Sequence, residues 1–401
     1  MHPIWKAVAI ALQVTPRPEL NVRSIPVIIW GPPGVGKTER VRSIARHLGL
    51  PMAEIHPSHY DPTEIHGLPA VVNGQSMKIP PDWAVGLIIQ MARKAGIPVP
   101  DPDYVDPKKL RGALEQLPKD RILGVVFADE FSGAPPATQN ALLDFLYSRR
   151  VARLVLPVSV VAAANPAGQG AGVFELEPAS ANRFVHVQWE GDLQEFVRGM
   201  SYGFDTNLRN IPILPEDWYT GVVPARATVA AFVLRKPALH VAFPKEYSGQ
   251  GRAWPSERSW DNAAILMAAA RAVGADPETE ALLIGGCVGA EAAQEFLTWM
   301  KKLDLPNPEE LLARPETFHA PQRGDILLSI LSSVYQAVSR KPTQERYDAA
   351  WAILDQAAKQ AKDTAMMTAK ELIRLGERHA FRIPETIYIF EDFVKLVRRV
   401  N

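Results

Sequence analysis

A single cysteine, Cys287, in 401 residues leaves no partner for an intrachain disulfide and no thiolate cluster for zinc. An excess of either charge sign is also missing: 44 Lys+Arg stand against 44 Asp+Glu, for a formal net charge of zero. Such a balance argues against a globally basic nucleic-acid binder and leaves open only a local patch. The most apolar runs, 25–30 and 122–128, fall far short of the ~20 residues that span a bilayer. No internal repeat is present. Near the start, Lys6 precedes a short apolar run that stops at Pro16 and Pro18, unlike a signal peptide. The expectation is a soluble, cytoplasmic protein with no membrane partner.

Hydrophobic residues at 47% and charged residues at 22% supply a core and exclude wholesale disorder. The 35 prolines exceed the usual share of about 5% and cluster at loops, notably 96–107 and 211–255. They suggest short elements joined by stiff connectors. The length points to two or three domains. The first half alternates apolar β-type runs (25–30, 122–128, 159–164, 184–189) with helical stretches (38–48, 137–148), the pattern of a parallel α/β sheet covered on both faces. An Asn73-Gly74 pair between β-capable residues marks a hairpin. From about 224 helical periodicity dominates, at 228–234, 259–272, 277–287 and 290–302. Beyond the proline-rich break at 305–308 and the run 314–323, four further helical patterns follow at 324–339, 342–361, 363–380 and 384–399. The expected division is an α/β nucleotide-binding domain at 1–200, a linker and helical lid at 201–315, and a C-terminal helical block at 316–401.

Gly31-Pro32-Pro33-Gly34-Val35-Gly36-Lys37-Thr38 matches G-x-x-x-x-G-K-[ST] between an expected strand and an expected helix. Glycines let successive backbone N–H groups turn inward around a phosphate, at the positive end of the following helix, whose first turn includes Glu39. Lys37 can reach the β- and γ-phosphates, and the Thr38 hydroxyl can ligate Mg2+. The apolar run 125–128 delivers Asp129 and Glu130 at its C-terminal end, where open α/β sheets bind ligands. Asp129 would hold the metal and Glu130 would polarise the attacking water. Asn165, ending another strand, can hydrogen-bond the γ-phosphate or that water without adding negative charge. By itself it reads equally as an Asx-Pro turn. Arg183, after a glycine-rich loop at 167–172, could stabilise charge on a phosphoryl group in a neighbouring subunit; taken alone it is an ordinary surface arginine.

In order and spacing, Gly31 to Thr38, Ala128-Asp129-Glu130-Phe131, Ala164-Asn165-Pro166 and Asn182-Arg183-Phe184 resemble the AAA+ ATPases, most closely the MoxR branch related to magnesium chelatase ATPase subunits. The resemblance implies an α/β P-loop NTPase core, an α-helical lid and a C-terminal α-helical extension. It makes Lys37 and Thr38 the Walker A pair, Asp129 and Glu130 Walker B, Asn165 sensor 1 and Arg183 the arginine finger. Trp254-Pro255-Ser256-Glu257-Arg258 is similar to the sensor 2 motif, with Glu257 where the family pattern has Pro, so Arg258 would reach back from the lid to the γ-phosphate. Residues 69–80 fit the family's β-hairpin insert in helix 2, a candidate client contact, and 149–157 fit its second hairpin. The implied protein is an Mg-ATP-hydrolysing ring, a hexamer, remodelling a protein client with a von Willebrand factor A-domain partner. A DNA-acting or clamp-loader-like motor, a nucleotide-binding scaffold that does not turn over and a monomeric P-loop kinase are the alternatives. The last ~85 residues are outside the resemblance.

His56, His59 and His66 have metal-like spacing, but the intervening prolines deny a helical face and no cysteine assists. Trp254 and Trp260 are expected to pack the lid, and Cys287 to be inert core. Of the short basic runs, 149–150, 301–302 and 398–399, only Arg149-Arg150 sits at a helix end that could face a subunit interface.

Overall fold

The computed structural model describes residues 1–72, 75–99, 107–166, 174–203, 210–245, 251–302 and 306–382. The Asn73-Gly74 turn, the loop at 167–172 and the expected helix at 384–399 therefore lie outside the described residues. The chain folds into two compact units, residues 1–215 with 242–293, and residues 216–241 with 294–401.

The first unit is built on a five-stranded sheet of β1 (Val27–Trp30), β2 (Met52–Ile55), β5 (Gly124–Ala128), β8 (Val158–Ala164) and β9 (Val185–Gln188). Their order is β2-β5-β8-β1-β9, and every pairing is parallel. Every residue of β1, β5 and β8 is buried, which is why these strands read as unbroken apolar runs. Because all strands run the same way, Trp30, Ala128 and Ala164 end at one edge of the sheet. Loops leaving that edge carry the polar motifs. Antiparallel hairpins β3–β4 (Leu68–Val72 with Gln75–Ile79) and β6–β7 (Arg150–Val151 with Leu154–Val155) stand where the sequence placed them. No helix among the described residues is long and apolar enough to cross a membrane.

Several elements carried no sequence expectation, among them the helices Asp82–Lys94, Pro107–Gln116 and Leu193–Tyr202, and two of them show why. Strand β2 is an edge strand; only Ile55 of its Met-Ala-Glu-Ile is buried, so it shows neither alternation nor an apolar run. Helix α1 (Pro3–Leu12) is enclosed on all sides, with Trp5 and residues 7–12 fully buried. A helix buried all round loses the amphipathic period by which helices are recognised.

The expected lid is divided between the two units. The helix Glu257–Ala272 stays with the sheet, burying Trp260 and the run 263–270 against Pro277–Val288 and α1. Gly286 explains the close seat of Pro277–Val288 on β9: a Cβ there would stand 2.6 Å from the His186 carbonyl oxygen. In the second unit, Val222–Arg235 packs on Gly324–Arg340, which also packs on Gln344–Gln360 and Lys362–His379. Tyr347, Trp351 and Leu372 are buried in this core, and Phe232 meets Phe296 edge-on at 5.2 Å. The block at 316–401 is thus not a free-standing appendage. Its helix Gly324–Arg340 packs on Val222–Arg235, within a unit whose chain is discontinuous.

His186 sits on β9 between Trp30, whose Nε1 donates to its Nδ1 at 3.0 Å, and the Ala181 carbonyl oxygen 2.8 Å from its Nε2. These partners select the Nε2–H tautomer. Burial lowers its pKa from 6.5 to about 4, outweighing the carbonyl bond. The unfolded chain therefore binds the proton first as pH falls. The stability linked to this ring is intact above pH 6.5 and lost towards pH 4, by about 3 kcal/mol. Thermal unfolding between pH 7 and pH 5 checks this: the wild type should lose Tm more steeply than His186→Gln, and equal slopes would remove His186 from the account.

Candidate active site

The turn after β1 is shaped by what its glycines lack. A Cβ on Gly31 would stand 1.9 Å from the Trp189 carbonyl oxygen, so only glycine lets the loop pass there. Gly34 and Gly36 adopt φ of 79° and 80°, turning backbone N–H groups towards the loop's inside just before α2 (Lys37–His47). The outside of the loop is pinned by Trp189, whose Nε1 donates to the Val35 carbonyl at 2.9 Å. Trp189 in turn meets Trp5 and His2 of the N-terminal segment edge-on, at 5.1 and 5.3 Å. The buried α1 thus braces the phosphate loop from behind.

Inside the loop, Lys37 is buried and its Nζ donates to the Gly31 and Pro32 carbonyls at 2.7 and 2.8 Å and to Asn165 Oδ1 at 3.2 Å. Burial pulls its pKa below the usual lysine value, against the pull of Asp129. Thr38 Oγ1 donates to Asp129 Oδ2 at 2.6 Å. The Ser132 hydroxyl ties the ends of β5 and β8 together, accepting from Asn165 N at 3.0 Å and reaching the Asn165 carbonyl at 3.3 Å. Glu130 is exposed with φ of 53°, a left-handed residue that turns the chain sharply out of β5. Lys37, Thr38, Asp129 and Asn165 therefore meet at one point, with Glu130 at its open side. Glu39 is exposed and its carboxylate pairs with Arg42 at 2.6 Å, which leaves only its backbone N–H for a phosphate. Pro32, Pro33 and Val35 shape the loop without offering side-chain donors.

The Thr38 hydroxyl and the Asp129 carboxylate are hard oxygen donors within bonding distance of one another, and they fit Mg2+. That ion usually takes one or two protein oxygens and fills its shell with phosphates and water. His56 and His59 only place their rings 5.5 Å apart. Among the described residues no group of three or more His, Cys, Asp or Glu is arranged to hold a metal by itself.

Arg183 and Arg258 lie elsewhere. Both line a cleft with Ser24, Ile25, Pro26 and Tyr147, at the start of β1, whereas Lys37 bonds to Gly31 just past its end. Four strand residues at ~3.3 Å each separate the two edges by about 13 Å. Arg258, expected at its own chain's γ-phosphate, is thus on the far edge of the sheet. A specific bond puts it there: Ser256 Oγ donates to Asn182 Oδ1 at 2.6 Å while capping Glu257–Ala272, and Asn182 Nδ2 donates to the Trp254 carbonyl at 3.1 Å. Arg183 is half-buried; burial first, and then repulsion from Arg258, lowers its pKa. Its Nε has no acceptor among the described residues.

Residues 27–189 match the family model "ATPase family associated with various cellular activities (AAA)". Over that span, which includes the parallel sheet and the phosphate loop, the fold is that of an AAA domain, and further helices follow it. A solved structure of a candidate ATPase from Cytophaga hutchinsonii is similar over 75% of this chain and 87% of its own, at 16% identity and a TM-score of 0.36. No curated protein matches the chain.

Sequence reasoning passed over Trp189, Ser132, Asn182 and Ser256 as functional supports. Each acts through a partner distant in sequence, so none forms a local pattern. Gly31→Ala drives a methyl group into the Trp189 carbonyl and should cost about 1–3 kcal/mol while loosening the phosphate loop. Titration with a fluorescent ATP analogue and a melting curve check it: weakened binding and a lowered Tm are expected, and wild-type values for both would contradict the close packing.

Proposed function

We propose that the protein is an Mg-ATP-hydrolysing ring ATPase whose active site is completed between copies. One observation carries this reading: Lys37, Thr38, Asp129, Glu130 and Asn165 gather at one edge of the sheet, while Arg183 and Arg258 gather at the opposite edge. One chain alone cannot bring both sets to one triphosphate. Head-to-tail packing of identical copies can, and a head-to-tail contact that closes makes a ring.

In that arrangement the phosphate loop and Lys37 hold the β- and γ-phosphates, and Asn165 and Glu130 orient a water in line with the γ-phosphorus. Bound at Thr38 and Asp129, Mg2+ would supply charge neutralisation on the phosphate oxygens. The water oxygen bonds to phosphorus, the bond to the ADP oxygen breaks, and the water proton passes to the Glu130 carboxylate. Arg183 and Arg258 of the next copy stabilise the charge that develops on the transferred group, a contribution typically worth 10³–10⁵ in rate.

A hexameric ring that remodels a protein client, as in the MoxR branch, is the form this activity takes in our reading, with a von Willebrand factor A-domain protein as partner. Hairpin β3–β4 supports a protein client, since Leu68, Val71 and Ile79 are exposed on it. The balanced charge of the chain argues against DNA as that client.

Glu130→Gln and Arg183→Ala should each abolish steady-state hydrolysis. Mixed, they should recover activity, about a quarter of wild type for random copies acting independently, because some interfaces then pair an intact Glu130 with an intact Arg183. A mixture as inactive as its components would contradict a shared site.

A further inference from the structure

Two surface features of the first unit are left unused by this mechanism. Helix α8 (Leu193–Tyr202) follows β9 on the nucleotide edge, where Glu195 pairs with Arg40 of α2 and Gly191 lies against Val35 of the phosphate loop. Leu193, Phe196, Val197 and Met200, spaced i, i+3, i+4 and i+7, are 77%, 55%, 53% and 67% exposed. That spacing is the apolar stripe by which a helix normally meets a core, here turned to solvent. The second feature is a cavity of about 740 Å³ on the opposite edge. Leu114, Leu117, Leu154, Val155 and Pro157 give it apolar walls, and Arg111, Lys119, Arg121 and Arg153 stand around it against one carboxylate, Glu115. It shares Arg23, Ser24 and Tyr147 with the cleft of Arg183 and Arg258.

We infer that the apolar face of α8 docks into this cavity on a second copy of the chain, forming the contact that holds neighbouring copies head to tail. The inference rests on the shared-site reading above and supplies its interface. Three observations favour a second copy as occupant. The two features lie on opposite edges, as a heterologous contact requires, and each adjoins the half of the active site that must meet its complement. Their chemistry matches, an apolar helix face for an apolar-walled groove. Their charges match as well: Glu190 and Asp192 lead into α8, with Arg198 the cation on the helix itself, and the cavity presents six cations, Arg23 and Arg149 included, to one anion. Arg149 adds to the demand for negative charge. It lines the cavity, is buried, and donates to Ser24 and to the Val158 carbonyl, while its Nη1 has no acceptor among the described residues. Burial lowers its pKa to about 9. The sequence singled out Arg149-Arg150 as a helix end that could face an interface; here Arg149 is part of the receiving wall rather than a reach towards nucleotide.

Cysteines introduced at both positions test the contact. The native Cys287 is buried, its thiol pushed well above the usual range by burial, so it does not compete for a maleimide. Full-length Val155→Cys/Val197→Cys protein is assembled with Mg-ATP, treated with a short bis-maleimide and run on a denaturing gel, and assembly is followed by sedimentation velocity. The expected result is a ladder of covalent dimers, trimers and higher species from the double variant and none from either single variant. Met200→Ser, on an exposed position that leaves the fold alone, should weaken self-association about tenfold or more. A covalent dimer from Val197→Cys alone would mean α8 meets α8, and would overturn the inference. Assembled protein that yields no ladder and tolerates Met200→Ser overturns it too, but leaves the shared site standing with another interface. Protein that never assembles removes both. Should the cavity serve a free anion instead, pyrophosphate would bind a Lys37→Ala variant, Arg111→Glu would abolish that binding, and assembly would be unchanged.

Discussion

The polarity of β1 governs the rest of the molecule. This four-residue strand carries the phosphate loop at its C-terminal end and the flank of the arginine cleft at its N-terminal end. Its neighbours β8 and β9 run parallel to it, so Asn165 inherits the first edge and Arg183 the second. Among the described residues nothing folds one edge of this sheet back on the other. The separation of the two sets of residues is a property of a short parallel sheet with buried central strands rather than of a movable loop.

Each edge also bears an electrostatic cost that a polyanion would relieve. At the first, Lys37 is buried with two carbonyls and an amide oxygen as its acceptors, and desolvation lowers its pKa. At the second, Arg183 and Arg258 repel one another, and Arg183 keeps an Nε without an acceptor among the described residues. Cations held in place by rigid supports are preorganised for negative charge, because little rearrangement is needed when it arrives. The supports are identifiable. Trp189 fixes the phosphate loop through Val35, and the Asn182–Ser256 bond fixes the two arginines relative to one another.

The chemistry of the site was far more legible in the sequence than the scaffold around it. Gly31 to Thr38, Asp129-Glu130 and Asn165 are read from local spacing because strand, turn and helix are contiguous there, and the structure brings all of them together. Arg258 was legible as a motif but not as a location. Its position depends on Ser256 bonding to Asn182, 74 residues away in sequence, which no local pattern encodes. Helix α1 and strand β2 escaped for opposite reasons, one buried on every side and the other hardly buried at all. The partition into two units was hidden because Val222–Arg235 packs on Gly324–Arg340 across an intervening stretch that packs on the sheet. Helical periodicity shows which face is buried, not what buries it.

The central claim is that one chain holds only part of an active site. Specific ATPase activity measured against protein concentration, at saturating Mg-ATP, tests it most directly. The rate per chain should rise from near zero in dilute solution to a plateau at the concentration where copies associate. A rate per chain that is constant down to concentrations where sedimentation shows only monomer would contradict it, and would place a complete site within one chain.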